Sequence, residues 1–169
     1  GRVSEVMHTK SGERYVPNYI ENRLKFSPYI KDAAVIGAGR DELTAMVCID
    51  FDAVGHWAER NGVPYVSYAD LSQREEVAVL LRKAFLRVNS SLSEPLQLKR
   101  FVSLHKEFDP DDGEITRTRK LRRTVVEEKY QKVIAALYDG SRKVHVSAIV
   151  TYETGNRGTV DRTLPIREV

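Results

Sequence analysis

Between residues 120 and 166 the apolar side chains change their spacing once, and that change commits the chain to a mixed architecture. Leu121, Val125, Val126, Tyr130, Val133, Ile134 and Leu137 recur at the helical period of about 3.6 residues, so one helix is expected over 120–139, stopped by Gly140. Immediately after it the apolar residues alternate: Val144, Val146, Ala148, Val150 and Tyr152 share one face of a strand. Residues 154–158 can turn the chain and 159–166 can return it, giving a C-terminal β-hairpin.

The preceding sequence supplies the rest of a sheet and its cover. Extended segments on either side of Ser11 and Gly12 form a short hairpin, and Pro17 opens a helix that Pro28 ends. Apolar, β-rich runs at 33–37 and 43–51 are separated by a polar turn at 39–42. Asp52 is placed to cap a helix carrying Val54, Trp57 and Ala58, which Asn61-Gly62 stops. Ser72 and Glu75 have the spacing of a capping box before Val77, Leu81, Ala84 and Val88. Residues 100–108 alternate as a strand, and 109–113 form a turn. The expected fold class is α+β: a short mixed sheet flanked by helices, organised as one domain over 1–140 with a hairpin extension, 141–169, packed on it.

Composition narrows the function classes. The 169 residues are 41% hydrophobic and 30% charged, enough for one globular domain with its own core. Neither a secretory signal pattern nor an uncharged apolar run long enough to span a bilayer is present, so a soluble, cytoplasmic fragment is expected. The single cysteine, Cys48, sits in an apolar stretch and reads as a core thiol, which suits a reducing compartment. No Gly-rich phosphate loop precedes a helix and no residues have metal-ligand spacing, so no metal site is expected. His8, His56, His105 and His145 stand apart and read as surface or strand-edge residues.

Charge is informative locally rather than globally. The chain has 27 Lys and Arg against 24 Asp and Glu, a net charge of only +3. Residues 116–124 nevertheless read TRTRKLRRT: Arg117, Arg119, Lys120, Arg122 and Arg123 with no acid among them. Such a run is most often a solvated approach to a helix. A lone Lys between arginines invites a second reading, because an ammonium acts as a point charge on phosphate or carboxylate whereas Arg favours planar bidentate contacts. The third reading is a patch for nucleic acid or acidic lipid. No aromatic residue interleaves with the cations to stack on bases, so nucleic acid is not an expected partner.

The segments GRVSEVMHTKSGERYVPNYIENRL, SPYIKDAAVIGAGRDELTAMVCI, NSSLSEPLQLKRF and EFDPDDGEITRTRKLRR, in that order, resemble the C-terminal domain of AMP-forming long-chain fatty-acid CoA ligases. The resemblance runs from Gly1 to about Gly140. It implies a small mobile domain that rotates against an N-terminal adenylating domain of the same parent chain. Acyl-adenylate formation from a carboxylic acid and ATP would come first, and acyl transfer to CoA second. ATP and CoA would be substrates, with Mg2+ accompanying ATP and bound mainly by the other domain. A fragment cut near the hinge is expected to be inactive alone.

Residue by residue, Lys120 matches the lysine of the adenylation step, and Arg2 matches an arginine that contacts the nucleotide. Ser4 falls at the hinge where most relatives carry Asp or Lys, and Glu5 competes with it for that role. Ser11, Gly12 and Arg14 match the face that turns inward for thioester formation, although Gly12 could simply permit a turn and Arg14 be surface charge. Arg117 stands where relatives commonly have Pro. The contending function is a non-enzymatic module binding nucleic acid or acidic lipid through 117–123; on the ligase reading a phenotype should concentrate in Lys120 and spare the neighbouring arginines. The acyl substrate and peripheral membrane contact by the parent stay open at this level.

Overall fold

Two hydrophobic clusters lie on opposite faces of a four-stranded sheet, because a central strand, Leu43–Ile49, is buried on both faces. The computed structural model describes residues 5–151 and 154–169. A hairpin of β1 (Met7–His8) and β2 (Arg14–Tyr15) leads into α1 (Pro17–Leu24), followed by β3 (Ile30–Ile36) and β4 (Leu43–Ile49). Helices α2 (Phe51–Arg60), α3 (Tyr68–Ser72) and α4 (Glu75–Asn89) then cross to β5 (Leu98–Ser103). After a long turn come α5 (Arg123–Lys129), α6 (Gln131–Tyr138), the hairpin β6 (Lys143–Thr151) and β7 (Arg157–Pro165), and β8 (Arg167–Glu168).

The sheet order is β3-β4-β5-β8, antiparallel except for the β4–β5 pair. That parallel pair requires the helical crossover between its strands. All seven residues of β4 are buried, as a strand covered on both faces should be. Ala45, Val47 and Ile49 join a cluster with residues of α1, α2 and α4, including Phe85, which stacks on Phe101 at 4.4 Å. Met46 and Cys48 face the other way, against Val102, Val126, Val133 and Leu137. The expected α+β class, with a mixed sheet flanked by helices, is the fold observed.

Several local expectations are corrected. The helix expected over 120–139 is two helices. Leu121 instead bridges Ile115, and Tyr130 interrupts the second half, its hydroxyl donating to Glu114 Oε2 at 2.5 Å. Asp50 rather than Asp52 caps α2, its Oδ1 accepting from the Ala53 amide at 3.0 Å. Ser72 makes no capping box: it ends α3 with its Oγ bonded to Ala69 O at 2.7 Å, and α4 starts after Arg74 without a side-chain cap. The strand expected over 100–108 starts at Leu98 and ends at Ser103.

The terminal hairpin forms, pairing Lys143 with Pro165 through to Thr151 with Arg157. Tyr152, assigned to its alternating face, lies outside the described residues. Two features beyond it were not expected: Leu164 is fully buried in the second cluster, and β8 adds a strand to the main sheet by pairing with Arg100 and Phe101 of β5.

Candidate active site

The basic run begins in a backbone-bonded loop rather than on a helix. The Arg122 amide donates to Glu114 O at 2.9 Å, and the Thr116 amide donates to Lys120 O at 2.8 Å. The Lys120 amide in turn donates to Thr116 Oγ1 at 3.0 Å. Arg119 completes the reversal in the left-handed region, φ 65°, an uncommon conformation for a residue with a Cβ. The main chain at Lys120 is therefore held on both sides. Its side chain is exposed and has no carboxylate partner among the described residues.

The five cations separate into two kinds. Arg119 pairs with Asp32, a buried carboxylate on β3 whose pKa is raised by burial against the pull of Arg119. Arg123 is largely buried and donates to Glu21 Oε1 at 2.8 Å and to Val35 O at 3.1 Å. Glu21 Oε2 accepts from the Val35 amide at 2.7 Å. β3 is the sheet's edge, so Val35 has no neighbouring strand on that side, and these two side chains satisfy its backbone. Burial raises the Glu21 carboxyl pKa while Arg123 opposes the rise. Arg117, Lys120 and Arg122 remain exposed. Arg119 and Arg123 thus hold the loop and α5 to β3, a structural engagement that the charge run alone did not reveal.

Sequence reasoning also missed the two acids. Glu21 left a signal, a carboxylate between Ile20 and Leu24 on the buried face of α1. Asp32 left none beyond being a charge inside an apolar strand.

Lys120 lines a cleft of ≈ 580 Å³ with Arg119, Arg123, Glu21, Asp32 and Glu5. Glu5 is exposed, its carboxylate 3.9 Å from Arg123 Nε. Two of the predicted positions, Glu5 and Lys120, therefore share a site. Arg2 and Ser4 lie outside the described residues. Ser11, Gly12 and Arg14 form a different surface, the exposed β1–β2 turn, and none of them lines this cleft. Gly12 has φ +93° and nothing near its missing Cβ, so the turn requires a glycine for conformation rather than for space. Thr9 Oγ1 contacts Ser11 Oγ at 3.2 Å and accepts the Glu13 amide at 3.1 Å, fixing the turn from within.

Residues 4–142 match the AMP-binding enzyme C-terminal domain. The chain belongs to that family. It is 31% identical over 140 residues to the long-chain-fatty-acid–CoA ligase FadD15 of Mycobacterium tuberculosis, covering 82% of this chain and 23% of that protein. It is 26% identical over 167 residues to the bovine long-chain-fatty-acid–CoA ligase ACSBG1, covering 88% and 23%. The chain thus spans about a quarter of these relatives. Among solved structures, the A-PCP didomain of carboxylic acid reductase from Segniliparus rugosus in complex with AMP shares the fold, with a TM-score of 0.62 and 20% identity over 80% of this chain and 17% of that one.

The remaining candidates of this domain fall outside the cleft. Cys48 is fully buried and its thiol pKa is pushed up by burial, as a core thiol should be. No group of three His, Cys, Asp or Glu among the described residues could hold a metal ion. Among the described residues no helix is long and apolar enough to cross a membrane.

His105 departs from its expected surface role: it is 7% exposed. Burial pushes its pKa down to about 4, helped by Lys106 and Arg162 and opposed by Glu114. The folded pKa lies below the unfolded one, so the unfolded chain takes up the proton first as pH falls. The associated stability is complete above about pH 6.5 and is lost progressively toward the folded pKa. Urea unfolding should report a loss of roughly 2 kcal/mol between about pH 6.5 and about pH 5. A His105→Leu variant should lack that slope; an unchanged slope would place its origin elsewhere.

Proposed function

We propose that this domain is the moving C-terminal part of an ATP-dependent acid:CoA ligase, acting with an N-terminal adenylating domain of its parent chain. In the first half-reaction a carboxylate oxygen attacks the α-phosphorus of ATP, giving acyl-AMP and pyrophosphate. In the second the CoA thiol attacks the acyl carbon, giving the thioester and AMP. A fatty or related acid is the substrate class that the ligase relatives support.

The observation that carries this reading is Lys120: an exposed ammonium without a carboxylate partner among the described residues, on a backbone held by three hydrogen bonds, in a run where two nearby arginines are engaged by buried acids. The first step brings two anions together and builds charge on phosphoryl oxygens, which a preorganised cation stabilises. In this scheme Lys120 serves adenylation, Arg2 contacts the nucleotide, and Ser4 or Glu5 is the hinge. After rotation the turn of Ser11, Gly12 and Arg14 meets the nucleotide phosphate or CoA. The alternative of a nucleic-acid or lipid patch is weakened by the engagement of Arg119 and Arg123.

Timing the half-reactions separately in the parent protein tests the scheme on the second face. Arg14→Ala should slow CoA-dependent consumption of supplied acyl-adenylate roughly tenfold or more, the scale of one charge-assisted contact, with adenylate formation unchanged. Equal slowing of both steps, or of neither, rejects a thioester-specific role for this turn.

A further inference from the structure

A second cavity, ≈ 770 Å³ in volume, lies between the turn after β5, the α5–α6 junction and the β6–β7 hairpin. It shares no lining residue with the Lys120 cleft. One wall, His145, Val146, Ser147, Ile149 and Arg162, lies beyond the segment that matches the family. The C-terminal hairpin therefore closes one side of the cavity, and its reading stands apart from the adenylation chemistry proposed above.

Three observations define what it would take. Tyr130, Val133 and Val146 give it apolar walls. Its two acids are already engaged: Glu114 accepts from Lys106 Nζ at 2.7 Å and from the Tyr130 hydroxyl at 2.5 Å, and Asp112 lies 3.4 Å from the same ammonium. Lys132 and Arg162 line the cavity with no carboxylate partner among the described residues, which leaves an excess of positive charge there. The third observation is His105, which lines the cavity with both ring nitrogens buried and without a hydrogen-bond partner. Buried polar atoms are rarely left so, because each unmade bond costs desolvation without return. A neutral imidazole carries one donor and one acceptor, and both stay unmet in the wall of this cavity.

We propose that this cavity binds a small amphiphilic acid, its apolar body against Tyr130, Val133 and Val146, and its acid group met by Lys132 and Arg162 with His105 alongside. A carboxylate or a phosphate monoester would satisfy the same cations, and the experiment separates them. Mostly apolar walls with a few converging polar groups are the usual makeup of a small-molecule site.

Octanoate, n-octyl phosphate and octan-1-ol are titrated into the 169-residue chain, with calorimetry and the His105 imidazole resonances as readouts. Saturable binding of octanoate or octyl phosphate that moves the His105 resonances is expected, with the tighter of the two identifying the acid class. Octanol should bind at least about tenfold more weakly, since it lacks the charge that Lys132 and Arg162 would meet. The paired variant Lys132→Gln/Arg162→Gln, both changes at the cavity rim and compatible with the fold, should weaken the acid by a similar factor. Lys120→Ala should leave it unchanged. The proposal is overturned if octanol binds as well as the acids, if the paired variant binds like the original chain, if Lys120→Ala abolishes binding, or if no saturable binding occurs and the resonances stay still.

Discussion

Lys120→Ala in the parent protein is expected to slow acyl-adenylate formation by at least ~10²-fold while CoA-dependent consumption of supplied adenylate stays near the original rate. The magnitude follows from the kind of contact. A cation already positioned for developing phosphoryl charge needs no reorganisation at the moment of reaction, so its loss falls on the transition state more than on substrate binding. Lys120 makes no structural ion pair among the described residues, so its removal should leave thermal stability close to unchanged. Lys120→Arg is not a conservative test, because a planar, bulkier guanidinium presents its charge differently. Acetylation of Lys120, which removes the charge, should reproduce the alanine result. If both half-reactions proceed at their original rates, Lys120 has no part in adenylation, and the exposed cations Arg117, Lys120 and Arg122 should be examined as a binding surface, whose affinity would fall steeply with salt.

Arg123→Met is expected to do the opposite: a large loss of stability with no selective effect on either half-reaction of the molecules that remain folded. It leaves the Glu21 carboxylate buried with only the Val35 amide as partner, and removes a donor from Val35 O. Breaking one side of a buried ion pair typically costs about 3–5 kcal/mol, a large fraction of a domain's net stability. Adding Glu21→Gln should recover most of that loss, because the neutral amide oxygen can still accept from Val35 N–H and no unpaired charge stays buried. Urea midpoints of the two variants against the original chain measure both effects. A loss below about 1 kcal/mol for Arg123→Met would mean that water reaches Glu21, and that the pair behaves as a surface one.

The contrast between these neighbours shows where sequence reading reached and where it stopped. The strands were legible because β4 is apolar at every position but Thr44, and α4 because Val77, Leu81 and Val88 keep the helical period. The class of the domain followed from the order of such segments and from the resemblance carried by four motifs. Boundaries failed where a local pattern had two physical readings. Leu121 fits the helical stripe of 125–137, yet a cross-loop bridge to Ile115 holds it outside the helix. Ser72 and Glu75 have capping-box spacing, yet α3 claims the serine first. The first error comes from a bridge that closes over an intervening loop, the second from a short helix that uses the same serine, and a period registers neither.

The sequence by itself determined the alternation of elements, the family, the solitary core thiol and the singular lysine in a basic run, since each is written in spacing or residue type along the chain. Only the tertiary structure decided which cations are free and which are bound. It paired Arg119 with Asp32 and Arg123 with Glu21, partners 87 and 102 residues away. It also buried His105 behind the C-terminal hairpin and drew Arg167 and Glu168 into the main sheet as β8. The physical reason is common to all of these. Charge, donor capacity and exposure belong to a residue's surroundings in space, and those surroundings exist only after the apolar faces of β3, β4 and β5 have brought distant segments together.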